Sequence, residues 1–187
     1  MKALKSQQTI TLLVVGLILN VIFLLGHSRT GHTQVTLDVL HQFPRGGEFP
    51  WAELIEGSDG MLYGTTQSGG VFGQGTVFKI NKDGTGFSLV HSFQCDTTSN
   101  GCFPYAGVIE GRDGALYGTT FYGGASGEGT AYRINKDGTG FSLLRSFQCT
   151  GSSSCYPIAG VIEGSDGALY GTTFYGGGLQ FWHGIYD

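Results

Sequence analysis

From residue 39 onward, apolar positions come in short bursts separated by polar, glycine-rich turns. In Thr76-Val77-Phe78-Lys79-Ile80 apolar and polar side chains alternate at a period of about two, which predicts a strand with one face buried. Ala52–Glu56 and Met61–Thr66 read as two further strands around Ser58-Asp59-Gly60, where Asp-Gly supplies the positive φ of a tight hairpin. Ser68-Gly69-Gly70 ends the second strand, Asn81–Gly86 turns the chain after the third, and Phe87–Phe93 is the fourth. No helical stripe interrupts this pattern.

The pattern repeats. Leu54–Thr66 recurs as Val108–Thr120 and again as Val161–Thr173, with steps of 54 from Gly60 to Gly114 and 53 from Gly114 to Gly167. Ala106–Gly124 and Ala159–Gly177 differ only at Arg112 versus Ser165, and Asn81–Leu89 returns unchanged as Asn135–Leu143. Four strands in such a period make one blade, so the expected fold class is all-β: tandem four-stranded blades of a β-propeller-like array, incomplete, after an N-terminal hydrophobic helix. The repeats are expected over 39–187, at about 44–97, 98–151 and a partial 152–187. Val39–Phe43 matches Leu89–Phe93 and Leu143–Phe147. It reads as an orphan fourth strand, of the kind a ring uses to pair its two ends.

The N-terminus differs in kind. Lys2 and Lys5 precede an apolar run from Ile10 to Leu25, interrupted by Thr11, Gly16 and Asn20. Residues 1–28 are expected to be a signal peptide cut after Ser28, the alternative being an uncleaved anchor spanning 10–26. Residues 29–38 are a linker running into the orphan strand. Either way the repeats are expected beyond a membrane, secreted or at the cell surface, and the membrane is a partner only if the leader stays attached.

Composition narrows the classes. The 187 residues include 34 glycines, 13% charged and 13% aromatic residues. Glycine this frequent alongside so much aromatic and β-branched character indicates dense turns rather than disorder. A net charge of −4 without a basic stripe argues against nucleic acid as a partner. The cysteines sit in two loops one repeat apart, suggesting local disulfides Cys95–Cys102 and Cys149–Cys155; a zinc site is the rival, but the spacings are wide for one.

The third repeat keeps the pattern to Gly177, after which Gly178–Asp187 matches nothing earlier. Back-translated one base out of frame, this tail can encode Gly-Thr-Val-Phe where the pattern requires it. A frameshift scar is therefore expected, with an ordinary divergent tail as the alternative.

The units Asp59–Thr66, Gly69-Gly70, Gly73–Ile80 and Asp83-Gly84 resemble the GloVer (Gloeo-Verruco) tandem repeat of secreted bacterial proteins. The resemblance covers roughly residues 40–177. It implies an extracellular or surface-anchored, propeller-like array and brings no catalytic residues with it.

Candidate chemistry is sparse. Glu56, Glu110 and Glu163 end the first strand of each repeat and could ring a channel, or else serve the turn that follows each of them. Asn81 and Asp83, with Asn135 and Asp137, place oxygens at alternate positions as calcium loops do, but lack the downstream glutamate of an EF-hand; a plain hairpin turn is the competing explanation. Trp51, Tyr105, Tyr122 and Tyr175 are candidate binding aromatics, able to stack on sugars or a protein partner, against the competing use of packing between blades. The five histidines form no ligand spacing and no Ser/His/Asp constellation is suggested. No catalytic residue, metal or cofactor is expected.

The expected function is an extracellular, non-catalytic repeat module that binds or presents, with a glycan or an extracellular protein as partner. The alternatives are a secreted propeller hydrolase or lyase acting on glycans, and a non-functional fragment of a frameshifted gene.

Overall fold

The repeated Asp-Gly turn starts each blade. Gly60, Gly114 and Gly167 take φ of 80°, 78° and 82°, conformations that only glycine adopts without penalty. The preceding aspartates brace the same turn. Asp59 accepts from the Met61 N–H at 3.3 Å, Asp113 from that of Ala115 at 3.0 Å and Asp166 from that of Ala168 at 3.0 Å. Their other oxygens accept from the hydroxyls of Tyr63, Tyr117 and Tyr170 at 2.6, 3.0 and 2.6 Å.

A computed structural model describes residues 14–15, 20–21, 39–43, 48–95, 101–148 and 155–174. In the first blade β3 (Ile55–Glu56), β4 (Leu62–Thr66), β5 (Thr76–Ile80) and β6 (Ser88–Ser92) pair antiparallel in chain order. The second blade repeats this with β7 (Ile109–Glu110), β8 (Leu116–Thr120), β9 (Thr130–Ile134) and β10 (Ser142–Ser146). The third is described through β11 (Ile162–Glu163) and β12 (Leu169–Tyr170). The fold is all-β, an array of propeller-like blades that does not close into a ring among the described residues.

Of the apolar leader, only β1 (Val14–Val15) and β2 (Asn20–Val21) are described, and they pair antiparallel. The rest of the run expected to be helical lies outside the described residues, as does the tail 178–187. No helix among the described residues is long and apolar enough to cross a membrane.

Blades stack face to face because each leaves an apolar face for the next to cover. Tyr63, Val77 and Phe93 of the first blade pack with Leu116, Tyr132 and Ile134 of the second, all almost fully buried. Each such side chain contributes about 1.5–3 kcal/mol of burial. Hydroxyls add direction: Thr65 donates across the interface to the Ala106 carbonyl at 2.9 Å, and Thr119 to that of Ala159 at 3.0 Å.

The fourth strands carry a bulge. Val77 and Phe78 of β5 face His91 and Leu89 of β6, so Val90 is the extra residue; Leu144 holds the same place in β10. The Val90 carbonyl approaches Gly138 of the next blade so closely that a Cβ there would lie 2.6 Å from its oxygen.

Val39–Phe43 repeats this contact one blade earlier. Phe43 packs with Leu62, Phe78 and Ile80, and His41 stacks on Phe87 at 4.0 Å as His91 stacks on Phe141 at 4.2 Å. The Leu40 carbonyl faces Gly84 as that of Val90 faces Gly138. The segment therefore stands against the first blade where the outer strand of a preceding blade would stand.

The first strands are shorter than the pattern predicts: two residues of Ala52–Glu56 join the ladder. The segments before them approach each other instead, and a Cβ on Gly107 would lie 2.8 Å from the Glu53 carbonyl oxygen.

Candidate binding surface

The three glutamates at the ends of the first strands serve the neighbouring blade. Glu110 accepts from the Ser58 N–H at 2.7 Å and the Ser58 hydroxyl at 2.6 Å, in the turn of the preceding blade. Lys136 completes the cluster, 2.5 Å from Glu110, 2.8 Å from the Ser58 hydroxyl and 3.8 Å from Asp59. Burial opposes ionisation of Glu110, but the bonds from Lys136 and Ser58 outweigh it and hold the carboxyl below its ordinary range. Glu163 likewise accepts from the Arg112 N–H at 2.8 Å, while the Arg112 guanidinium donates to the Ser165 and Gly164 carbonyls. Glu56 pairs with Lys82 of its own blade at 2.5 Å, in the open. The bonded turn is the preceding one, not the following one that the sequence suggested.

The calcium-like loops are closed hairpin turns. Asp83 accepts from the Thr85 N–H at 2.9 Å and its hydroxyl at 2.7 Å, and Asn81 donates to the same hydroxyl at 3.0 Å. Asp137, Thr139 and Asn135 repeat these bonds. The oxygens that would face a cation are used within the turn. No cluster of three or more metal-ligating side chains occurs among the described residues.

The aromatics do converge. Cys95 and Cys102 form a disulfide across a separation of seven residues, their Cα atoms 5.2 Å apart. Cys155 is disulfide-bonded too; Cys149 lies outside the described residues. Immediately after these half-cystines, Phe103 and Tyr156 take φ of 55° and 43°. A left-handed backbone at a bulky residue costs on the order of 1–3 kcal/mol, so the surroundings must impose it. They do: the Phe103 N–H donates to the Gln74 carbonyl at 2.9 Å, its carbonyl accepts from Phe121 N–H at 3.1 Å, and Cys102 bridges to Tyr122. Phe49, at the same place in the first repeat, follows no cysteine and is not left-handed.

The result is a continuous aromatic surface between the second and third repeats. Phe121 stacks on Tyr156 at 4.7 Å and meets Tyr105 edge-on at 5.0 Å. Tyr122 meets Phe103, Phe121 and Tyr156 edge-on and stays 41% exposed. Tyr105 accepts a hydrogen bond from the Gln67 amide at 2.7 Å, linking this surface to the first repeat, where Phe49 and Trp51 are exposed, Trp51 at 63%. Tyr175 lies outside the described residues. Trp51, Tyr105 and Tyr122 are thus on the surface or at its margin, while the repeated glutamates form a separate set of contacts. The left-handed Phe103 and Tyr156 were not legible beforehand; a half-cystine followed by an aromatic residue and proline is the signal that marks both.

These features recur at the family's repeat period. The model of the Gloeobacter/Verrucomicrobia repeat matches residues 26–183. The chain belongs to this family. No curated protein matches it. Within the Gloeobacter/Verrucomicrobia repeats of this chain, the framework residues are nearly constant and the residues after the second strand vary. They read Gln67-Ser68 in the first repeat, Phe121-Tyr122 in the second and Phe174-Tyr175 in the third. Variation on a constant frame falls where the aromatic surface is built.

Proposed function

We propose that this member of the Gloeobacter/Verrucomicrobia repeat family is an exported, non-catalytic module that binds a glycan chain along its aromatic surface. The observation that carries this reading is the joined set Phe103, Tyr105, Phe121, Tyr122 and Tyr156, held on backbone that is bonded to the preceding repeat at Gln74. Aromatic faces stack on the apolar faces of sugar rings, and a rigid platform spares the cost of ordering them on binding. The repeated carboxylates are engaged in turns and blade contacts, which favours binding over hydrolysis. The Cys95–Cys102 disulfide supports export, because such bonds persist in oxidising compartments. The charged, apolar leader supports it as well.

The test is a glycan array probed with the purified chain, followed by titration of the best ligand. Tyr122→Ala and Trp51→Ala are each expected to weaken binding about 3- to 10-fold, the value of one aromatic contact. Absence of glycan binding, or binding indifferent to both substitutions, would overturn the reading. Release of free sugar during the assay would turn it towards the hydrolase or lyase.

A further inference from the structure

The two outer faces of the array carry matching halves of the contact that joins its blades. On the third repeat, Ile162 is 66% exposed, although the corresponding Ile55 is packed into the first interface. Thr172 is exposed, although the corresponding Thr65 and Thr119 are buried and donate to the next blade. Ser165 is exposed at the turn position where Ser58 and Arg112 give their N–H groups to the following blade's glutamate. At the other end, the first repeat presents Glu56, whose counterparts Glu110 and Glu163 hold the preceding turn, and Lys82, whose counterpart Lys136 reaches that same turn. Val39–Phe43 already stands there as the outer strand of a preceding blade.

We infer that the chain self-associates head to tail, the third repeat of one copy docking on the first repeat of a second. Each contact of the internal interfaces then has a counterpart. The Ser165 N–H of one copy donates to Glu56 of the second, and the Thr172 hydroxyl to the Ala52 carbonyl. Lys82 approaches the Ser165–Asp166 turn, and Ile162 enters the apolar layer beside Leu54 and Phe78. The outer strand of this composite blade is the second copy's Val39–Phe43; its third strand falls to residues 175–187, outside the described residues. Like charges do not meet in this arrangement: a carboxylate faces a turn N–H and an ammonium faces an acidic turn. The contact is heterologous, so it propagates until it closes. Two copies bring three repeats each, about six blades, within the four to eight of a typical ring.

The test is sedimentation of the full chain across a concentration series, with two variants on opposite faces. The wild-type chain is expected to run as a dimer at micromolar concentration. Ile162→Asp on the third repeat and Glu56→Lys on the first are each expected to weaken the dimer at least 10-fold. Because each variant keeps one intact face, mixing the two restores a dimer, which a symmetric face-to-face contact would not do. Both sites are exposed, and Thr172→Lys gives a second probe of the same face should Ile162→Asp fail to fold. A wild-type chain that stays monomeric overturns the inference. So does a dimer that both variants leave unchanged, or one that their mixture fails to restore.

Discussion

At the scale of single residues, burial of a polar atom without a partner is the most informative feature. His91 lies flat on Phe141, with an angle of 3° between the rings, and its Nε2 is buried without a hydrogen-bond partner. Burial therefore lowers its pKa from the ordinary 6.5. The folded state binds its proton less readily than the unfolded chain, so the stability this neutral ring supports is complete above pH 6.5. It is lost as pH falls from there towards the lower folded value. His41, on Phe87, shifts in the same direction for the same reason. The urea midpoint is expected to drop between pH 7.5 and 5.5, and His91→Phe, which keeps the stack without the titration, to reduce that drop. An unchanged pH slope in the variant would show that His91 is not a source of it. Tyr132 is the other such residue. It stands where the first blade has Phe78, and its buried hydroxyl, without a hydrogen-bond partner, faces Gly118. The sequence shows a tyrosine there but nothing of the cost of burying its oxygen.

At the scale of the element, glycines in the same motif have different reasons. A Cβ on Gly64, inside β4, would lie 2.5 Å from Leu54 Cδ2 and 2.7 Å from Phe78 Cζ. Gly60, in the hairpin turn, would meet nothing within 4 Å, and its requirement is its positive φ. Gly64→Ala is therefore expected to cost about 1–3 kcal/mol through overpacking. Gly60→Ala is expected to cost about 1–2 kcal/mol through backbone strain alone. Equilibrium urea denaturation separates the two when Leu54→Ala is added: it should recover part of the loss at Gly64 and none at Gly60. The hairpin turns were legible because Asp-Gly determines local dihedrals. The bulges at Val90 and Leu144 were not, since an extra residue in a strand is defined only by its partner's register. The first strands shrink to two residues for a related reason: Ala106 and Ala159 offer their carbonyls to threonines of the preceding blade.

At the scale of the whole molecule, the question is whether the blades fold as one unit. The apolar interface is non-directional, but the bonds around Glu110 join β7 of the second blade to the first blade's turn and to Lys136. Removing this carboxylate leaves the partly buried Lys136 ammonium and the Ser58 N–H without their acceptor. Glu110→Ala is expected to cost about 1.5–3 kcal/mol, the worth of hydrogen bonds to a charged group. Coupled blades should keep a single, shifted transition by both fluorescence and circular dichroism. Two separated transitions would show that the blades unfold independently and that this cluster does not couple them.

Sequence by itself determined the all-β class, the repeat period, the hairpin turns and the Cys95–Cys102 pairing. Each of these rests on local dihedral preference, on alternation along a strand, or on a separation of a few residues. Tertiary structure decided which turn each glutamate holds, how Phe103 and Tyr156 are forced into left-handed backbone, and that Phe121 stacks on Tyr156. Those depend on how one blade is rotated over the next. That rotation is set by face-to-face packing of side chains about a whole repeat apart, and no local pattern encodes it.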